Sequence, residues 1–297
     1  MGDIRIIKLA SIVKSKKDKT IKFVFLSNNQ IIEFSYINKD DGKDIICAPT
    51  QTACNLGCKF CFLSDIKLPV RNLETYEIVA PIIFMIRALG LTGKQDSNKT
   101  LLISYMGCGE PLLNLENVIT ASCEIRNKVS DKYQTVRFAV ASLIPQISLM
   151  EKFIEGVTKN NLKMKFHLSL HSPDIIVRKA LMPATELIEE SIKLVEKFMH
   201  ITGNSAEIHY ALIKNINDRE NDLNELINLL RNRNIPVKFL AYNKKPNQDM
   251  EESEKVNHFR AMLGLAKIET EFYLPPGQDI GSSCGQFLMD YYLDNGE

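Results

Sequence analysis

The stretch Cys47–Phe62, "CAPTQTACNLGCKFCF", holds four of the seven cysteines of this 297-residue chain. Three of them, Cys54, Cys58 and Cys61, follow the spacing C-x3-C-x2-C, and Cys47 lies upstream. Thiolates are preferred ligands of zinc and of iron–sulfur clusters. In a reducing compartment, such crowding indicates metal binding or catalysis rather than a disulfide framework.

The three cysteines favour an iron–sulfur cluster over zinc. A structural zinc site needs four protein ligands, usually in two pairs. Cys284 has no paired cysteine or histidine, and His167 and His171 fall on a predicted strand and at its end. Three cysteines on a [4Fe–4S] cluster leave one iron open for a substrate or cofactor. A zinc site and a purely structural or redox cluster remain the alternatives.

The composition indicates a globular protein, with 45% hydrophobic and 25% charged residues. No apolar run reaches the roughly 18 residues that cross a bilayer, and the N-terminus shows no signal peptide, so we expect a cytoplasmic protein without a membrane segment. The net charge of +1 gives no general attraction to nucleic acid. The basic run Lys14–Lys19 is interpreted as a solvated turn, with an RNA-phosphate contact as the alternative.

Two regions differ in their pattern. Residues 1–42 predict a small antiparallel β extension, because three runs rich in β-branched and aromatic residues are separated by polar turns. In residues 43–297 strands alternate with helices, which predicts an α/β fold with a parallel sheet, either a partial barrel or an open doubly wound sheet. The predicted helices are 74–90, 115–129, 146–158, 186–202, 219–233 and 251–266, and 92–99 is predicted to be a mobile loop.

The polar motifs follow predicted parallel strands. The cysteine motif follows the first, "GCGEP" the second, "SLHSP" the fourth and "YNKKP" the sixth. The carboxyl ends of such strands carry the chemistry of these folds. We therefore expect the four motifs to share one rim.

The cysteine spacing, with Phe60 before the last cysteine, resembles the signature of radical S-adenosylmethionine (SAM) enzymes. The resemblance implies a partial (β/α)6 barrel and a [4Fe–4S] cluster held by Cys54, Cys58 and Cys61, with SAM on the open iron. "MGCGEPLLN" resembles the GGEP-type motif of these enzymes.

The longer patterns "CAPTQTACNLGCKFC" and "GQDIGSSCGQF" resemble motifs of the radical SAM RNA adenine methyltransferases. "SLHSPD", "RKALMPAT", "YALIKNINDREND" and "FLAYNKKP" match further family motifs in order, so the resemblance covers about residues 20–290. Members of this family methylate carbon 2 or carbon 8 of adenine in ribosomal or transfer RNA.

The resemblance implies catalytic roles for Cys284, Cys47 and Glu33. Cys284 would take a methyl group from one SAM, and a second SAM, cleaved reductively at the cluster, would provide the radical that removes hydrogen from this methyl group. The methylene radical would add to the adenine carbon, and Cys47 would resolve the adduct, by attack on the Cys284 sulfur or by helping deprotonation, leaving a Cys47–Cys284 disulfide. Glu33 is a candidate proton shuttle, and its alternative is a plain exposed strand residue.

The resemblance also implies two SAM molecules per turnover and a set of cofactor contacts. His171 is alternatively a satisfied core histidine, and Cys108 is either a packing residue or a redox-active thiol. The implied SAM and adenine contacts are Gly109, Glu110, Pro111, Ser169, His171 and Asn243.

The sequence departs from the family pattern in three places. Only about 20 residues precede the region that resembles the family, whereas family members carry a helical RNA-binding domain there; "AVAS" replaces a serine-rich motif, and Cys108 replaces methionine. We expect RNA as substrate, a flavodoxin or ferredoxin as reductant, and a monomer. The alternatives are the same chemistry on a nucleotide, small metabolite or peptide, or a catalytically silent RNA- or SAM-binding relative.

Overall fold

Within the described residues, one sheet of ten strands organises the fold. The computed structural model describes residues 7–39, 42–65, 67–91, 99–245, 248–283, 286 and 288. Cys284 and the loop predicted at 92–99, apart from its last residue, lie outside the described residues. The strands lie side by side in chain order, antiparallel from β1 to β4 and parallel from β4 to β10. They are β1 Ile7–Lys14, β2 Ile21–Ser27, β3 Gln30–Lys39, β4 Lys43–Cys47, β5 Thr100–Tyr105, β6 Thr135–Ser142, β7 Met164–Ser169, β8 Ala206–Ala211, β9 Val237–Leu240 and β10 Thr270–Tyr273.

Helices connect the parallel strands and pack on one face of the sheet. The side chains of Phe153, Phe166 and Phe198 illustrate this packing, with ring centroids 5.6–5.8 Å apart between two helices and a strand. Burial of such apolar faces is the main stabilising contribution to the fold. The helices are α1 Thr75–Ala88, α2 Leu115–Lys128, α3 Ile147–Lys159, α4 Ile175–Leu181, α5 Ile188–Thr202, α6 Glu220–Leu230 and α7 Val256–Leu265.

The sheet curls around an internal cavity, which we call the lumen cavity. Its lining comes from every strand from β3 to β10, and a flat sheet could not bring these strands around one space. The predicted α/β partial barrel is thereby confirmed. The lining residues on strands include Ile37, Ile45, Cys47, Leu102, Ser104, Ala139, His167, His209, Lys238 and Tyr273.

Two helix predictions need correction. Helix α4 was not predicted, since it spans only Ile175–Leu181 and ends before Pro183. The helix predicted at 251–266 begins at Val256, because Glu252 forms an isolated antiparallel bridge with Ile213 and keeps the preceding segment extended. Within the described residues, no helix has the length and apolar character to cross a membrane.

Candidate active site

A second cavity opens at the carboxyl ends of the parallel strands, and we call it the rim cavity. It brings the four predicted motifs together, as the topology requires. Eight of the predicted site residues line it: Cys54, Cys58, Cys61, Gly109, Glu110, Ser169, His171 and Asn243. The rim cavity and the lumen cavity share Met106, His209 and Leu240, so they adjoin.

The three motif cysteines lie on the loop after β4. Burial raises the pKa of the Cys58 thiol well above its usual value, and the charges of Cys61 and Cys54 add to this effect. Burial also raises the pKa of Cys54, with a contribution from Glu110. The thiols therefore influence one another, and a bound cation would relieve the cost of ionising them together.

Lys245 holds this cysteine loop in place from inside the protein. Its side chain is fully buried, and Nζ donates to the carbonyl oxygens of Lys59 (3.2 Å) and Cys61 (3.1 Å) and to Oγ of Ser64 (3.0 Å). A carboxylate oxygen of Asp65 lies 2.7 Å from Nζ. The lysine thus replaces the solvent that these loop carbonyls would otherwise require.

The turn after β5 needs its glycines because the segment that follows β4, from Ala48 to Gln51, runs directly against it. A Cβ on Gly107 would lie 2.9 Å from the carbonyl carbon of Ala48. Gly109 has φ +100°, and a Cβ there would lie 2.6 Å from Cβ of Gln51. The side chain of Gln51 fixes the same turn, since its Oε1 accepts the Glu110 N–H at 2.9 Å.

Glu110 is a buried carboxylate at the start of a 3-10 helix, Pro111–Asn114. Its Oε1 accepts the N–H of Leu112 at 3.1 Å, and its Oε2 accepts that of Leu143 at 3.4 Å. Burial raises the pKa of Glu110 to about 7, against the opposing effect of hydrogen bonds from Ser142 and the backbone. A cation in the rim cavity would favour its ionised form.

His171 lines the rim cavity as a neutral imidazole. Its Nδ1 accepts the N–H of Ala211 at 2.9 Å, which leaves Nε2 as the N–H of the neutral ring. Burial, with smaller contributions from His209 and Arg178, lowers the pKa of His171 to about 3. Its ring centroid lies 4.5 Å from that of Phe60 in the cysteine loop. The residue is both buried and part of the cavity wall, so its two sequence interpretations coexist.

The C-terminal segment approaches both cavities just before Cys284. Ser282 and Ser283 line the lumen cavity together with Cys47. Nδ2 of Asn243 donates to Oγ of Ser283 at 3.3 Å, and Oγ of Ser35 donates to Oγ of Ser282 at 3.0 Å. Ser35 pairs with Cys47 in the β3–β4 register. The segment therefore rests against the strand end that carries Cys47.

Glu33 lies on the same face of β3 as Ser35 and is only 1% exposed, so the alternative of an exposed strand residue is wrong. Its Oε2 accepts the N–H of Leu288 at 2.8 Å, and Nζ of Lys22 lies 3.7 Å from Oε1. Glu33 lines neither cavity, and what it contacts is the backbone of the C-terminal segment.

Pro111 does not line the rim cavity either. It is the buried first residue of the 3-10 helix that follows Glu110. Cys108 packs among Val24, Ile31 and Leu63 beside the motif cysteines. Among the cysteines that the structure describes, none forms a disulfide with another, and the predicted Cys47–Cys284 pairing involves a residue outside them.

The residues of the rim cavity fit a [4Fe–4S] cluster with SAM. The thiols of Cys54, Cys58 and Cys61 line this cavity, burial raises the pKa of the first two, and cluster irons take thiolate ligands. Glu110 and the backbone of the Gly107–Gly109 turn lie on the same cavity, where an ammonium group would be stabilised. The two glycines allow this turn to lie directly against Ala48 and Gln51, where any side chain would collide.

Arg178 and Lys245 are site residues that sequence reasoning did not single out. Arg178 is fully buried and donates to the carbonyl oxygens of Ser169 and Leu170 at 2.7 Å and of Leu143 at 3.0 Å, so it ties the ends of β6 and β7 together. Burial lowers the pKa of Arg178 to about 9. Arg178 lies within "RKALMPAT" and Lys245 within "FLAYNKKP", and their position in these motifs was the one sequence feature that could have identified them.

Comparison with known proteins finds close relatives and a similar structure, although no family model matches the chain. A protein of Dictyoglomus thermophilum described as "Probable dual-specificity RNA methyltransferase RlmN" is 32% identical over 86% of this chain and 72% of its own length. One of the same description from Clostridium acetobutylicum is 32% identical over 96% of this chain and 81% of its own.

The solved structure of a radical SAM methyltransferase from Sphaerobacter thermophilus superposes with a TM-score of 0.81 and 25% identity, covering 94% of this chain and 80% of that one. Taken with the relatives at 32% identity over most of their lengths, it shows that this chain belongs to the RlmN family of radical SAM methyltransferases.

Proposed function

We propose that this enzyme methylates carbon 2 or carbon 8 of an adenine in RNA, through a methyl group carried on Cys284 and with Cys47 as the resolving thiol. One observation carries the proposal: Ser282 and Ser283, which directly precede Cys284, line the same cavity as Cys47. RNA is proposed as substrate because relatives at 32% identity are described as RNA methyltransferases.

Cys54, Cys58 and Cys61 are proposed to hold the cluster, which together with SAM supplies one-electron chemistry when bound. Glu110 and the Gly109 turn would receive the amino group of SAM, and Glu110 would ionise on meeting this cation. Ser169, His171 and Asn243 would supply further polar contacts, with the Nε2–H of His171 as a donor. Pro111 would act by fixing the position of Glu110.

Cys284 is proposed to act twice. Its thiolate first attacks the methyl carbon of one SAM, with S-adenosylhomocysteine as the leaving group, and hydrogen loss from the transferred methyl group requires a second SAM. After carbon–carbon bond formation, the adduct would return one electron to the cluster and lose the proton of the attacked adenine carbon. The Cys47 thiolate then attacks the Cys284 sulfur, and a disulfide forms. The electron pair of the broken carbon–sulfur bond stays with the methylene carbon, which takes a proton to become the product methyl group. Glu33 is proposed to help this step mainly by holding the backbone beyond Cys284.

We propose a division of the chain at residue 43. Residues 1–42 would support the C-terminal segment. Ser15 and Ser35 donate hydrogen bonds to this segment, and Glu33 accepts one from it. Residues 43–297 would carry the cofactors. A flavodoxin or ferredoxin as reductant and a monomeric state remain predictions.

Reconstituted enzyme, SAM, a reductant and unmodified ribosomal and transfer RNA transcripts provide the test. We expect methyladenosine by mass spectrometry with wild type, none with Cys284→Ala, and a covalent protein–RNA adduct with Cys47→Ala. Cys123→Ala, on helix α2, is the matched control and should behave as wild type. Product formation by Cys284→Ala would contradict the role of Cys284 as methyl carrier. Methylation of free nucleotides but not of RNA would show that the substrate is a nucleotide and not RNA.

A further inference from the structure

Three buried side chains converge on the wall of the lumen cavity. His167 lies on β7, Glu207 and His209 lie on β8, and His167 pairs with Glu207 in the parallel register. Residues two apart on a strand share a face, so all three side chains lie on the inner side of the sheet. The mechanism proposed above uses none of them.

Their ligand atoms form a compact triangle. Nδ1 of His167 lies 2.8 Å from Nε2 of His209 and 2.8 Å from Oε1 of Glu207, and the remaining side, from Nε2 to Oε1, is 3.5 Å. An ion with bonds of about 2.0–2.1 Å keeps its neighbouring ligands roughly 2.9–3.4 Å apart. The triangle can therefore hold such an ion slightly out of its plane with small adjustments.

Glu207 Oε1 is a buried oxygen crowded by possible donors. Nδ1 of His167 and Nζ of Lys238 each lie 2.8 Å from it, but neither makes a hydrogen bond of acceptable geometry. A cation would therefore satisfy this buried carboxylate oxygen better than its present neighbours do. The 2.8 Å hydrogen bond between Nδ1 of His167 and Nε2 of His209 requires one of these two nitrogens to accept with a lone pair.

The surrounding charges permit a cation. Lys165 contacts the other oxygen of Glu207, and Nζ of Lys238 lies 2.8 Å from Oε1. Nζ of Lys238 also lies 3.2 Å from Oε2 of Glu271, so it can keep that partner while it releases Oε1. The two lysines and two glutamates cancel in charge, and no net positive charge opposes a divalent ion.

We propose that His167, Glu207 and His209 form a binding site for a divalent transition-metal ion of the Zn²⁺ or Fe²⁺ class, separate from the three motif cysteines. Two imidazoles and one carboxylate on one face are the donor set that such ions take with positions left open. Both histidines line the lumen cavity with Cys47, so the open positions face it. There the ion would accept a nitrogen or oxygen donor from the molecule that occupies the cavity.

The test is metal analysis of the cluster-loaded protein after equilibrium dialysis against Zn²⁺ alone. We expect one tightly bound zinc per chain in wild type and at least a tenfold weaker affinity in His209→Gln and Glu207→Gln. His258→Gln is the matched control, since His258 also contacts a glutamate, Glu220 at 3.0 Å, but at the surface. It should retain the ion.

Thermal unfolding gives a second readout without activity. Zn²⁺ should raise the Tm of wild type and of His258→Gln, and should leave that of the two site variants unchanged. The absence of stoichiometric zinc in folded wild type would overturn the proposal, whether or not the variants fold. Equal zinc in wild type and both site variants would overturn it too. In either case His167, Glu207 and His209 would be part of an internal ion-pair network and not a metal site.

Discussion

At the scale of single residues, the rim cavity depends on charged groups that are buried with few partners. Glu110 has its pKa raised to about 7 from an ordinary 4.5, because burial disfavours the carboxylate. Such a group makes the ligand-free protein less stable but binds a cation strongly once one arrives. If Glu110 binds the amino group of SAM as proposed, the same residue links protein stability to SAM binding.

Replacing Glu110 by Gln should stabilise the ligand-free protein above about pH 7, by on the order of 2 kcal/mol. The carboxyl pKa is higher in the folded state, so wild type loses stability as pH rises from 4.5 towards 7. The advantage of Glu110→Gln should shrink as pH falls through this window. Thermal unfolding from pH 5 to 8 measures it, and a constant difference would contradict the raised pKa.

The same substitution should weaken SAM binding by at least tenfold at pH 8. An amide cannot supply the negative charge that we expect opposite the amino group of SAM. Calorimetric titration of the cluster-loaded protein at pH 6 and pH 8 checks this. Wild type should bind more tightly at pH 8, where Glu110 is ionised at lower cost, and Glu110→Gln should lose this pH dependence.

Lys245→Met should reduce iron retention and destabilise the protein by about 1–3 kcal/mol. The variant leaves the carbonyl oxygens of Lys59 and Cys61 buried without their donor. Iron per chain and Tm are the measurements. Lys244→Met is the matched control, because this neighbouring lysine is exposed and contacts Glu251 at 3.2 Å. Equal effects of the two variants would rule out the specific role of Lys245.

At the scale of elements, the turn after β5 and the segment after β4 must approach each other closely for the rim cavity to form. Gly109→Ala should destabilise the protein more than Gly203→Ala and should abolish SAM binding. Both glycines have positive φ, at +100° and +67°, but only the Cβ at Gly109 would meet a neighbour. Calorimetric titration with SAM and thermal unfolding of both variants separate the clash from the backbone strain. Retained SAM binding by Gly109→Ala would contradict the close approach.

Sequence reasoning found the strands because each is a short run rich in β-branched and aromatic residues. It missed α4, whose seven residues are too few for a helical period to show. It also missed Arg178 and Lys245, since buried charged residues are rare and their partners here are backbone carbonyls. Sequence reasoning could not bring His167, Glu207 and His209 together, because their proximity depends on the register between β7 and β8, and no motif reveals that register.

At the scale of the whole molecule, the turn between β1 and β2 is tied to the segment that contains Gly277 and Asp279. Oγ of Ser15 donates to Asp279 at 2.7 Å, and the backbone N–H of Lys16 donates to its other oxygen at 2.8 Å. The N–H of Gly277 donates to Oδ2 of Asp18 at 2.8 Å. The basic run Lys14–Lys19 is thus an exposed turn between β1 and β2, and it holds the segment that leads to Cys284.

Asp18→Ala should loosen this segment without affecting the cluster. The Gly277 N–H loses its acceptor, so we expect faster cleavage near residue 277 in limited proteolysis and at least a threefold lower fraction of methylated Cys284 by peptide mass. Iron content should stay at the wild-type level. Asp131→Ala, in an exposed turn after α2, is the control, and an unchanged proteolysis rate in Asp18→Ala would contradict the anchoring.

The hydrogen bonds at Ser282, Ser283 and Leu288 have a kinetic consequence. They bracket Cys284 in sequence and hold its flanks against β3, through Ser35 and Glu33, and against Asn243. In the mechanism proposed above, the thiols of Cys284 and Cys47 would therefore react at an effective concentration far above that of any thiol in solution. Release of product by Cys47 should therefore be insensitive to glutathione, and regeneration of the reduced pair should set the rate when external reductant is scarce.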